Sequence, residues 1–450
     1  MAFGGGNLSF GYRGGHHLDN TEEVPPAPVS RSFVVAPGSP LSGRVSLGGA
    51  KNSVLKLMAA CLLAPGTHRL CNAPRIADVA YMSDLLAAMG VDTAWTGEPG
   101  VLTVTTPDRV LPEAPYEHVE KMRASIVVLG PLVTRMGRAR ISMPGGDDFG
   151  SRPIDMHVKG LEAMGAVVDT AHGFVECRVP TPDGRLIGAR LVLEFPSHTT
   201  TDNLMMAAVL ARGTTVIENA AREPEVCDLA AFLGRMGARI DGAGTSRIEI
   251  EGVDELTPTE HTIIPDRVEA ATFLAAVGLA GGEIVVEGAR HEHLDMYIEK
   301  LGDMGVRVSR HPDGLWASRS DALVSTDVAT LPFPGVATDY KPLVVTLLSV
   351  AEGVGIVSEN LFSGRFRYVD ELKRLGADIR TEGHHAVVRG VPKLSGTRVR
   401  ATDIRAGAAL VLAGLVAEGE TVVDGAEHVL RGYEDFASKL SGLGAEVSLR

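Results

Sequence analysis

The chain repeats one segment six times, and this repetition limits the folds that it can adopt more than any other feature. Each copy is an apolar helical stretch, then Met or Leu followed by Gly, and then a strand. The glycines of these hinges recur about every 70 residues, at Gly90, Gly165, Gly237, Gly305, Gly376 and Gly444. A second series with the same period is centred on Gly66, Gly137, Gly213, Gly282, Gly353 and Gly419. Two interleaved series with one period indicate six copies of one structural unit.

Local sequence chemistry predicts the shape of the unit. In VDELKRLGADI, Val369, Leu372 and Leu375 are spaced as on one face of a helix, and Gly376 can end that helix in the left-handed conformation. The second series also predicts a helix that ends at Gly, followed by a β-branched run such as TTVIEN. We therefore expect two helices and three or four strands in each unit. A unit of about 70 residues has little core of its own, so the six must share cores, as one ring or as two groups of three.

Length and charge limit the class of protein. The chain has 450 residues, of which 45% are hydrophobic, and a net charge of -13. Two or three domains are expected at this length. The negative surplus argues against a protein that coats nucleic acid, because phosphate contacts need an excess of Lys and Arg. We therefore expect no nucleic-acid partner.

Signals for targeting, membranes and metals are weak. The apolar stretch SVLKLMAACLLA is shorter than the roughly 18 residues of a membrane span. Residues 1–31 lack the apolar core of a secretory signal and predict a flexible tail. The four cysteines lack the spacing of metal ligands and predict reduced structural thiols: Cys61, Cys71, Cys177 and Cys227. We expect a cytoplasmic protein with no membrane partner and no metal.

The stretch MPGGDDFGSRPIDMH is the most unusual in the chain. Its glycines predict a mobile loop over residues 143–153, and Pro153 suits the first turn of the helix that follows. Such a loop can act as a lid that carries Asp147, Asp148 and Arg152 at its tip. A solvated turn with a capping aspartate is the alternative.

Several cations interrupt apolar surroundings. Lys51 and Asn52 precede a predicted helix start, where backbone N–H groups favour an anion. Any one such cation is more typical of a snorkelling or salt-bridged side chain. Together they indicate a small polyanionic ligand, and they are Lys51, Arg123, Arg152, Arg405 and Arg431. Asp339 begins another helix after a Pro- and Gly-rich approach, either as a reactive carboxylate or as an N-cap.

At these positions the chain resembles the enolpyruvyl transferases, and among them the UDP-N-acetylglucosamine 1-carboxyvinyltransferase branch. The resemblance covers residues 32–450 and depends on nine motifs in the family's order: GGAKNSVLKL, MRASIVVLGPL, PGGDDFGSRPIDMH, IENAAREPEV, PDRVEAATF, ATDYKPL, SGRFRYVDEL, DIRAGAALVLAG and LRGYEDF. It implies an α/β fold with two domains of three βαβαββ-like repeats each, packed as inverse α/β barrels. Residues 51–265 would form one domain and carry the lid. Residues 32–50 and 266–450 would form the other, catalytic domain.

The resemblance also implies a reaction. The enolpyruvyl group of phosphoenolpyruvate would move to a hydroxyl of a uridine nucleotide, with release of phosphate and without a metal or organic cofactor. By similarity Asp339 takes the hydroxyl proton and Asp147 of the lid acts as the acid or assists product release, together with catalytic Lys51 and Arg431. The remaining residues implied in substrate binding are Asn52, Arg123, Arg152, Pro153, Asp155, Met156, His157, Ser197, His198, Thr199, Leu361 and Arg405.

Four positions depart from the family's pattern. Asp147 replaces the usual lid Cys, which predicts insensitivity to the epoxide fosfomycin, since a carboxylate is not alkylated as a thiolate is. His198 and Thr199 replace Val and Gly beside the nucleotide diphosphate, and Leu430 replaces an Asp. UDP-N-acetylglucosamine is the default acceptor.

The departures leave alternatives to that acceptor. The first is a paralogue that acts on another uridine nucleotide, such as the 3'-hydroxyl of UMP in nucleoside antibiotic synthesis. Transfer to shikimate 3-phosphate fits the motifs less well. A ring-shaped DNA clamp explains the repeats but not the embedded cations, and a non-catalytic descendant conflicts with the retained Lys51, Arg152, Asp339 and Arg431.

Overall fold

A computed structural model describes residues 31–143, 154–362 and 364–450 of the chain. The strands in these ranges are β1 (Ser32–Ala36), β2 (Leu41–Ser46), β3 (Gly66–Cys71), β4 (Asp92–Trp95), β5 (Leu102–Thr106), β6 (Glu113–Ala114), β7 (Arg138–Ser142), β8 (Val167–Ala171), β9 (Phe174–Arg178), β10 (Arg190–Val192), β11 (Thr214–Glu218), β12 (Arg239–Asp241), β13 (Arg247–Glu251), β14 (Glu260–Thr262), β15 (Gly282–Glu287), β16 (Arg307–His311), β17 (Gly314–Arg319), β18 (Val328–Ala329), β19 (Val354–Ser358), β20 (Asp378–Glu382), β21 (His385–Arg389), β22 (Leu394–Ser395), β23 (Arg398–Arg400), β24 (Ala417–Glu418), β25 (Thr421–Asp424) and β26 (Glu446–Leu449).

The helices of the same ranges alternate with these strands. They are α1 (Lys51–Ala60), α2 (Ala77–Ala88), α3 (Tyr116–Val119), α4 (Leu129–Met136), α5 (Asp155–Ala163), α6 (His198–Ala208), α7 (Pro224–Met236), α8 (Arg267–Ala280), α9 (Asp295–Asp303), α10 (Lys341–Ser349), α11 (Val369–Arg374), α12 (Ile404–Gly414), α13 (Ala426–Leu430) and α14 (Phe436–Gly442). Short 3-10 helices lie at Cys61–Leu63, Arg123–Val128, His291–His293 and Thr338–Tyr340. None of the helices in the described ranges is long and apolar enough to cross a membrane.

The six sequence copies correspond to six four-stranded sheets of one topology. Their strand orders are β14-β3-β5-β4, β6-β7-β9-β8, β10-β11-β13-β12, β2-β15-β17-β16, β18-β19-β21-β20 and β23-β25-β1-β26. In each sheet the first pair is parallel and the next two pairs are antiparallel. The strand after each hinge glycine is always the last in this order. The predicted repetition and the α/β class are therefore confirmed.

The hinge glycines adopt the backbone conformation that the sequence predicts. All six have φ between 84° and 111°. A Cβ added to Gly90, Gly237, Gly376 or Gly444 would meet no atom within 4 Å. Backbone conformation, and not lack of space, therefore requires glycine at these four hinges.

The second glycine series differs from the prediction at some repeats. The α4 helix ends at Met136 and Gly137 caps it with φ 70°, as predicted. In contrast, α6, α10 and α12 end at Ala208, Ser349 and Gly414, several residues before the glycine. The intervening carbonyls bond to the following strand region, as when Val253 N–H donates to Val209 O at 2.9 Å. Tertiary hydrogen bonds thus end these helices early.

Two hydrophobic cores organise the described chain. One contains buried residues between positions 54 and 263, and the other contains buried residues of positions 33–45 and 268–447. In the second core α8, α10 and α12 contact one another, and every residue of α12 is buried. Helices that are apolar on all faces must lie inside. Strands such as β13 and β21 alternate between exposed and buried residues, so the sheets form the outer layer.

Two chain segments connect the regions of the two cores, and they lie side by side. Gly49 forms an antiparallel bridge with Pro265. Ala50 N–H donates to Ile264 O at 2.7 Å, and Asp266 N–H donates to Gly48 O at 3.0 Å. A Cβ at Gly49 would come within 1.9 Å of the Asn72 carbonyl oxygen. This close backbone approach requires glycine at that position.

Candidate active site

The first residue of α1 begins a charged cluster that both core regions form. Lys51 Nζ lies 2.8 Å from Asp78 Oδ2, on the first turn of α2. Arg431, which follows α13 of the other region, donates from Nε to Asp78 Oδ1 at 2.8 Å. Asp78 is buried, and the Lys51 and Arg431 side chains are only 12% and 13% exposed. One carboxylate therefore holds together two cations from different parts of the chain.

The charge states in this cluster follow from burial and from the neighbouring charges. Burial opposes ionisation of Asp78, but Lys51 and Arg431 outweigh it and lower the pKa of that carboxyl. Burial lowers the pKa of Lys51, and the nearby Arg405 and Arg431 lower it further. Asp78 acts in the opposite direction and raises it. Asp78 therefore stays ionised, and an additional anion beside Lys51 would stabilise the charged form of Lys51.

Asp339 is held between two arginines. It lies in the 3-10 turn Thr338–Tyr340, before α10. Arg365 Nη1 donates to its Oδ1 at 2.8 Å and Arg405 Nε to its Oδ2 at 3.2 Å. Burial opposes ionisation of Asp339, but Arg365 and Arg405 hold its pKa well below the usual range. Since the N-cap of α10 is Tyr340, the N-cap alternative for Asp339 is wrong.

A glycine brings the two ion-paired groups close together. A Cβ on Gly432 would lie 3.5 Å from Lys51 Cδ and 3.6 Å from Arg405 Nη1. Arg405 is only 4% exposed, and its Nη1 has no hydrogen-bond partner within the described residues. A buried cation with an unused donor destabilises the fold unless a ligand accepts a hydrogen bond from that donor. The arrangement suits a small anion at this point.

A second buried network fixes the turn that carries Asp339. Glu359 accepts from Thr338 Oγ1 at 2.7 Å and lies 2.9 Å from Lys341 Nζ, and both charged side chains are fully buried. Burial lowers the pKa of Lys341 to about 8, although Glu359 opposes this shift. Lys341 also donates to the Arg365 carbonyl. The Glu359–Lys341 pair therefore sets the position of Asp339 relative to Arg365.

Comparison with known proteins shows the family to which the chain belongs. The family model for EPSP synthase (3-phosphoshikimate 1-carboxyvinyltransferase) matches residues 35–440. The chain is an enolpyruvyl transferase of this family. It is 48% identical to the UDP-N-acetylglucosamine 1-carboxyvinyltransferase of Corynebacterium jeikeium (strain K411), covering 92% of this chain and 98% of the relative. The same enzyme of Nocardia farcinica (strain IFM 10152) is also 48% identical, over 93% and 98% of the two chains.

A solved structure of an enolpyruvyl transferase has a similar fold. The crystal structure of NikO from Streptomyces tendae matches with a TM-score of 0.83 and 27% identity. It covers 93% of this chain and 99% of NikO. The enolpyruvyl transferase fold expected from the sequence is thereby confirmed.

In this enolpyruvyl transferase, the N-terminus of α1 is less open to a ligand than its sequence predicts. Lys51 N–H donates to Asp266 Oδ2 at 3.0 Å. Asp266 Oδ1 also caps α8, accepting from Val268 N–H at 2.7 Å and Glu269 N–H at 3.2 Å. One carboxylate of a connecting segment thus serves the first turns of two helices. The Lys51 side chain, and not its backbone N–H, is available to a ligand.

A second group of polar side chains lies at the start of α6. Lys56 Nζ is 2.6 Å from Asp202 Oδ2 and 2.9 Å from His198 Nδ1. Lys56 and Asp202 are buried, whereas the His198 side chain is 42% exposed. An ammonium can only donate, so the Nδ1 atom of His198 accepts and its Nε2 carries the hydrogen. His198 therefore offers one fixed N–H donor at the start of this helix.

His157 belongs to a third, buried group. Its Nδ1 atom lies 2.9 Å from Asn203 Nδ2, and Asn203 Oδ1 accepts from Gly130 N–H at 2.7 Å. Burial lowers the pKa of His157 to about 4, and the charge of Arg123 adds to this effect. His157 is thus neutral near pH 7, with Nδ1 as the acceptor.

The remaining predicted residues are spread around these groups. Asp155 is half-exposed and lies 3.5 Å from Lys159 Nζ, while Met156 packs on the first core. Ser197 accepts from Thr200 N–H at 3.3 Å and so caps α6, next to Thr199. Asn52 is partly buried on α1, and Leu361 N–H donates to Glu359 Oε1 at 2.8 Å. Asp147, Asp148, Arg152 and Pro153 lie outside the described residues.

Several residues of the charged groups were not predicted from the sequence. Asp78, Lys56 and Asp202 were not indicated, because a charged side chain in a helix does not show which other residue it meets in the fold. Arg365 lies in the motif SGRFRYVDEL, but nothing in that motif indicates a contact with Asp339, 26 positions earlier. Its signal is an arginine that is 4% exposed, and this is visible only in the fold.

Proposed function

We propose that the protein transfers the enolpyruvyl group of phosphoenolpyruvate to a hydroxyl of UDP-N-acetylglucosamine and releases inorganic phosphate. The observation that carries the proposal is the pair of neighbouring charged groups, Asp339 with Arg365 and Arg405, and Asp78 with Lys51 and Arg431. Four UDP-N-acetylglucosamine 1-carboxyvinyltransferases at 48% identity support the acceptor. Peptidoglycan precursor synthesis is the corresponding role.

The cations suit the anionic donor substrate. Phosphoenolpyruvate carries a carboxylate and a phosphate, and charge on both persists through the addition step. Lys51 and Arg431 both contact one carboxylate, Asp78, and Arg405 lies near Lys51. Arg405 adds the unused Nη1 donor. Preorganised donors of this kind stabilise an anionic transition state, because they need no reorientation.

Asp339 is the proposed base, and its ion pairs make its proton affinity depend on whether substrate is bound. As described, Arg365 and Arg405 make it a weak base, because its pKa is far below neutral. A substrate anion at Arg405 competes for that guanidinium. Loss of part of the pairing raises the proton affinity of Asp339 at the moment when the site is filled. Binding of phosphoenolpyruvate would thus activate the base.

The chemical steps balance with two proton-transfer groups. Asp339 takes the proton of the acceptor hydroxyl while the hydroxyl oxygen forms a bond to C2 of phosphoenolpyruvate. At the same time an acid protonates C3. We propose Asp147 as this acid. The Asp147 carboxylate then takes a proton back from C3 of the tetrahedral intermediate, the bond from C2 to the phosphate oxygen breaks, and phosphate leaves with the proton that Asp339 held. No metal or organic cofactor enters these steps.

His198 supports a second candidate acceptor. Its fixed N–H donor, with Lys56 behind it, stands where the family's small residues lie beside the nucleotide diphosphate. A bulkier donor there can serve a shorter nucleotide, such as UMP with its 3'-hydroxyl. The 48% identity to the UDP-N-acetylglucosamine enzymes favours the first acceptor.

A phosphate-release screen separates the two acceptors. The enzyme is mixed with phosphoenolpyruvate and either UDP-N-acetylglucosamine or UMP, and phosphate is measured together with the mass of the nucleotide product. We expect release with UDP-N-acetylglucosamine and a product that is heavier by one enolpyruvyl group. Turnover with UMP alone would replace the main proposal by the alternative.

We also propose the domain division and the location. The two hydrophobic cores support domains of residues 51–265 and of 32–50 with 266–450, with substrates between them and the loop 143–153 as a lid. The cysteines of the described ranges are unpaired, which supports the reducing cytoplasm. We propose no partner other than the two substrates.

A further inference from the structure

A buried tyrosine lies against the guanidinium of Arg405. Tyr433 is 2% exposed and stands in the segment between α13 and α14. The Arg405 guanidinium carbon lies 5.2 Å from the centre of the tyrosine ring. The ring also packs on Phe436 of α14, with 4.9 Å between the two ring centres. Packing therefore holds the ring in place, and the ring offers Arg405 a fixed neighbour.

The hydroxyl of Tyr433 has a defined direction. Thr272 Oγ1 lies 2.8 Å from Val268 O, the carbonyl one turn earlier in α8, and 2.8 Å from Tyr433 Oη. A carbonyl only accepts, and a threonine hydroxyl has a single hydrogen, so Thr272 donates to Val268. Tyr433 must then donate its own hydrogen to Thr272. The lone pairs of the tyrosine oxygen are left to accept from another donor.

Arg405 is that donor. Burial raises the pKa of Tyr433, whereas the charge of Arg405 and its hydrogen bond with the tyrosine hydroxyl lower it. Burial opposes the charge on Arg405, but Tyr433 and Asp339 hold the pKa of Arg405 above its usual value. Arg405 Nε also donates to Asp339 Oδ2 at 3.2 Å. The guanidinium is thus held by a carboxylate and by a phenol oxygen.

We propose that Tyr433 and Thr272 are positioning residues for Arg405. They form a relay in which the Val268 carbonyl orients the Thr272 hydroxyl, Thr272 orients the tyrosine hydroxyl, and the tyrosine oxygen orients the guanidinium. The relay directs Arg405 Nη1 toward the anion site before the substrate arrives, so phosphoenolpyruvate does not have to order it. This inference rests on the proposed function, because it explains what orients one residue of that site.

Calorimetry of phosphoenolpyruvate binding tests the relay. Tyr433→Phe keeps the ring and removes the hydroxyl, and we expect it to weaken binding about tenfold. Thr272→Val keeps the shape of the side chain and removes the acceptor of the tyrosine hydrogen, and it should weaken binding about threefold. The double variant should bind no more weakly than Tyr433→Phe, because the two residues act through one chain of hydrogen bonds.

Tyr297→Phe is the matched control. Tyr297 is also fully buried, and its hydroxyl donates to Ala271 O at 3.2 Å, one position before Thr272 in α8. This variant loses a buried hydroxyl bonded to the same helix, and its affinity should stay within about twofold of wild type. Equal weakening in Tyr297→Phe and Tyr433→Phe overturns the proposal. Losses that multiply in the double variant also overturn it.

Steady-state kinetics separate positioning from a loss of folded enzyme. Tyr433→Phe should raise KM for phosphoenolpyruvate about tenfold and leave KM for UDP-N-acetylglucosamine within about twofold. A smaller folded fraction would lower kcat and leave both KM values unchanged, and this result would contradict positioning.

Nuclear magnetic resonance of enzyme with isotope-labelled arginine tests the orientation without any substrate. The Arg405 Nε–H signal, identified by its absence in Arg405→Lys, should shift in Tyr433→Phe and Thr272→Val but not in Tyr297→Phe. An unshifted signal in Tyr433→Phe refutes the relay even if the enzyme is active. If the signal shifts as expected but wild type binds no phosphoenolpyruvate, the relay is supported and the proposed function is refuted.

Discussion

The neighbouring arginines determine the ionisation of the Asp339 carboxylate. Arg365 and Arg405 neutralise it at 2.8 and 3.2 Å, in a partly buried position. The sequence indicated Asp339 and Arg405 as candidates but not Arg365. Pattern reasoning finds a charge that interrupts an apolar run. It does not find which charges meet, because the meeting is decided by how α10, α11 and α12 pack.

His157 predicts a pH dependence of stability. Its pKa is lowered to about 4 by burial, whereas an unfolded histidine titrates near 6.5. Between these values the unfolded chain binds the extra proton, so stability falls as the pH decreases from about 6.5 to 4, by at most about 1.4 kcal/mol per unit. His157→Asn removes this contribution.

The melting temperatures of wild type and His157→Asn are compared at pH 7, 5.5 and 4.5. We expect the melting temperature of wild type to decrease more than that of the variant as the pH falls. The exposed His172, replaced by Asn, is the matched control and should follow wild type. A constant difference between wild type and His157→Asn at all three pH values would show that His157 does not titrate as described.

Asp147 carries a second prediction at the residue scale. A lid carboxylate can transfer protons, but it does not react with the epoxide of fosfomycin as a thiolate does. Wild-type enzyme should keep its activity after incubation with fosfomycin and phosphoenolpyruvate, and Asp147→Cys should lose activity with time. Time-dependent inactivation of the wild type would contradict this reading of the lid.

At the scale of elements, glycine placement was the most informative part of the sequence. The hinge of each repeat needs a positive φ, and this need is local, so a single residue type reveals it. The ends of α6, α10 and α12 were less predictable. They depend on hydrogen bonds to later strands, which a local pattern does not contain.

Two glycines, one inside α7 and one at its C-terminal end, form a matched pair for testing this conformational requirement. Gly237 caps the helix with φ 111°, whereas Gly234 lies inside the helix, and a Cβ at either meets no atom within 4 Å. Gly237→Ala should destabilise by about 1–2 kcal/mol, because it forces an alanine into the left-handed region. Gly234→Ala should stabilise by up to about 1 kcal/mol. Denaturant unfolding measures both, and equal effects would refute the conformational explanation.

At the scale of the whole molecule, buried ion pairs join the two core regions. Arg267 of α8 donates from Nε to Glu225 of α7 at 2.9 Å and from Nη1 to Tyr340 Oη at 3.0 Å, next to Asp339. Arg431 and Asp78 form another such pair. The sequence predicted the two regions through the family resemblance, but not these pairs, because their partners are far apart along the chain.

Glu225→Gln tests the importance of this connection. It leaves Arg267 buried without a carboxylate, which should destabilise by about 3 kcal/mol or more. Glu251→Gln breaks an exposed pair with Arg239 at 2.7 Å and should change stability by less than about 1 kcal/mol. Thermal unfolding of both variants is the measurement. A similar shift for the two would mean that the buried pair does not hold the regions together.

We propose that one cleft uses Asp339 as a base and the arginines beside it as the anion site. Asp339→Asn removes the carboxylate that competes for Arg365 and Arg405, while keeping the shape of the side chain. Calorimetry of phosphoenolpyruvate binding and the rate of phosphate release with UDP-N-acetylglucosamine are measured on the same preparation. We predict binding at least as tight as in wild type and turnover lower by about a hundredfold or more. Turnover within tenfold of wild type, or loss of phosphoenolpyruvate binding, would contradict the account.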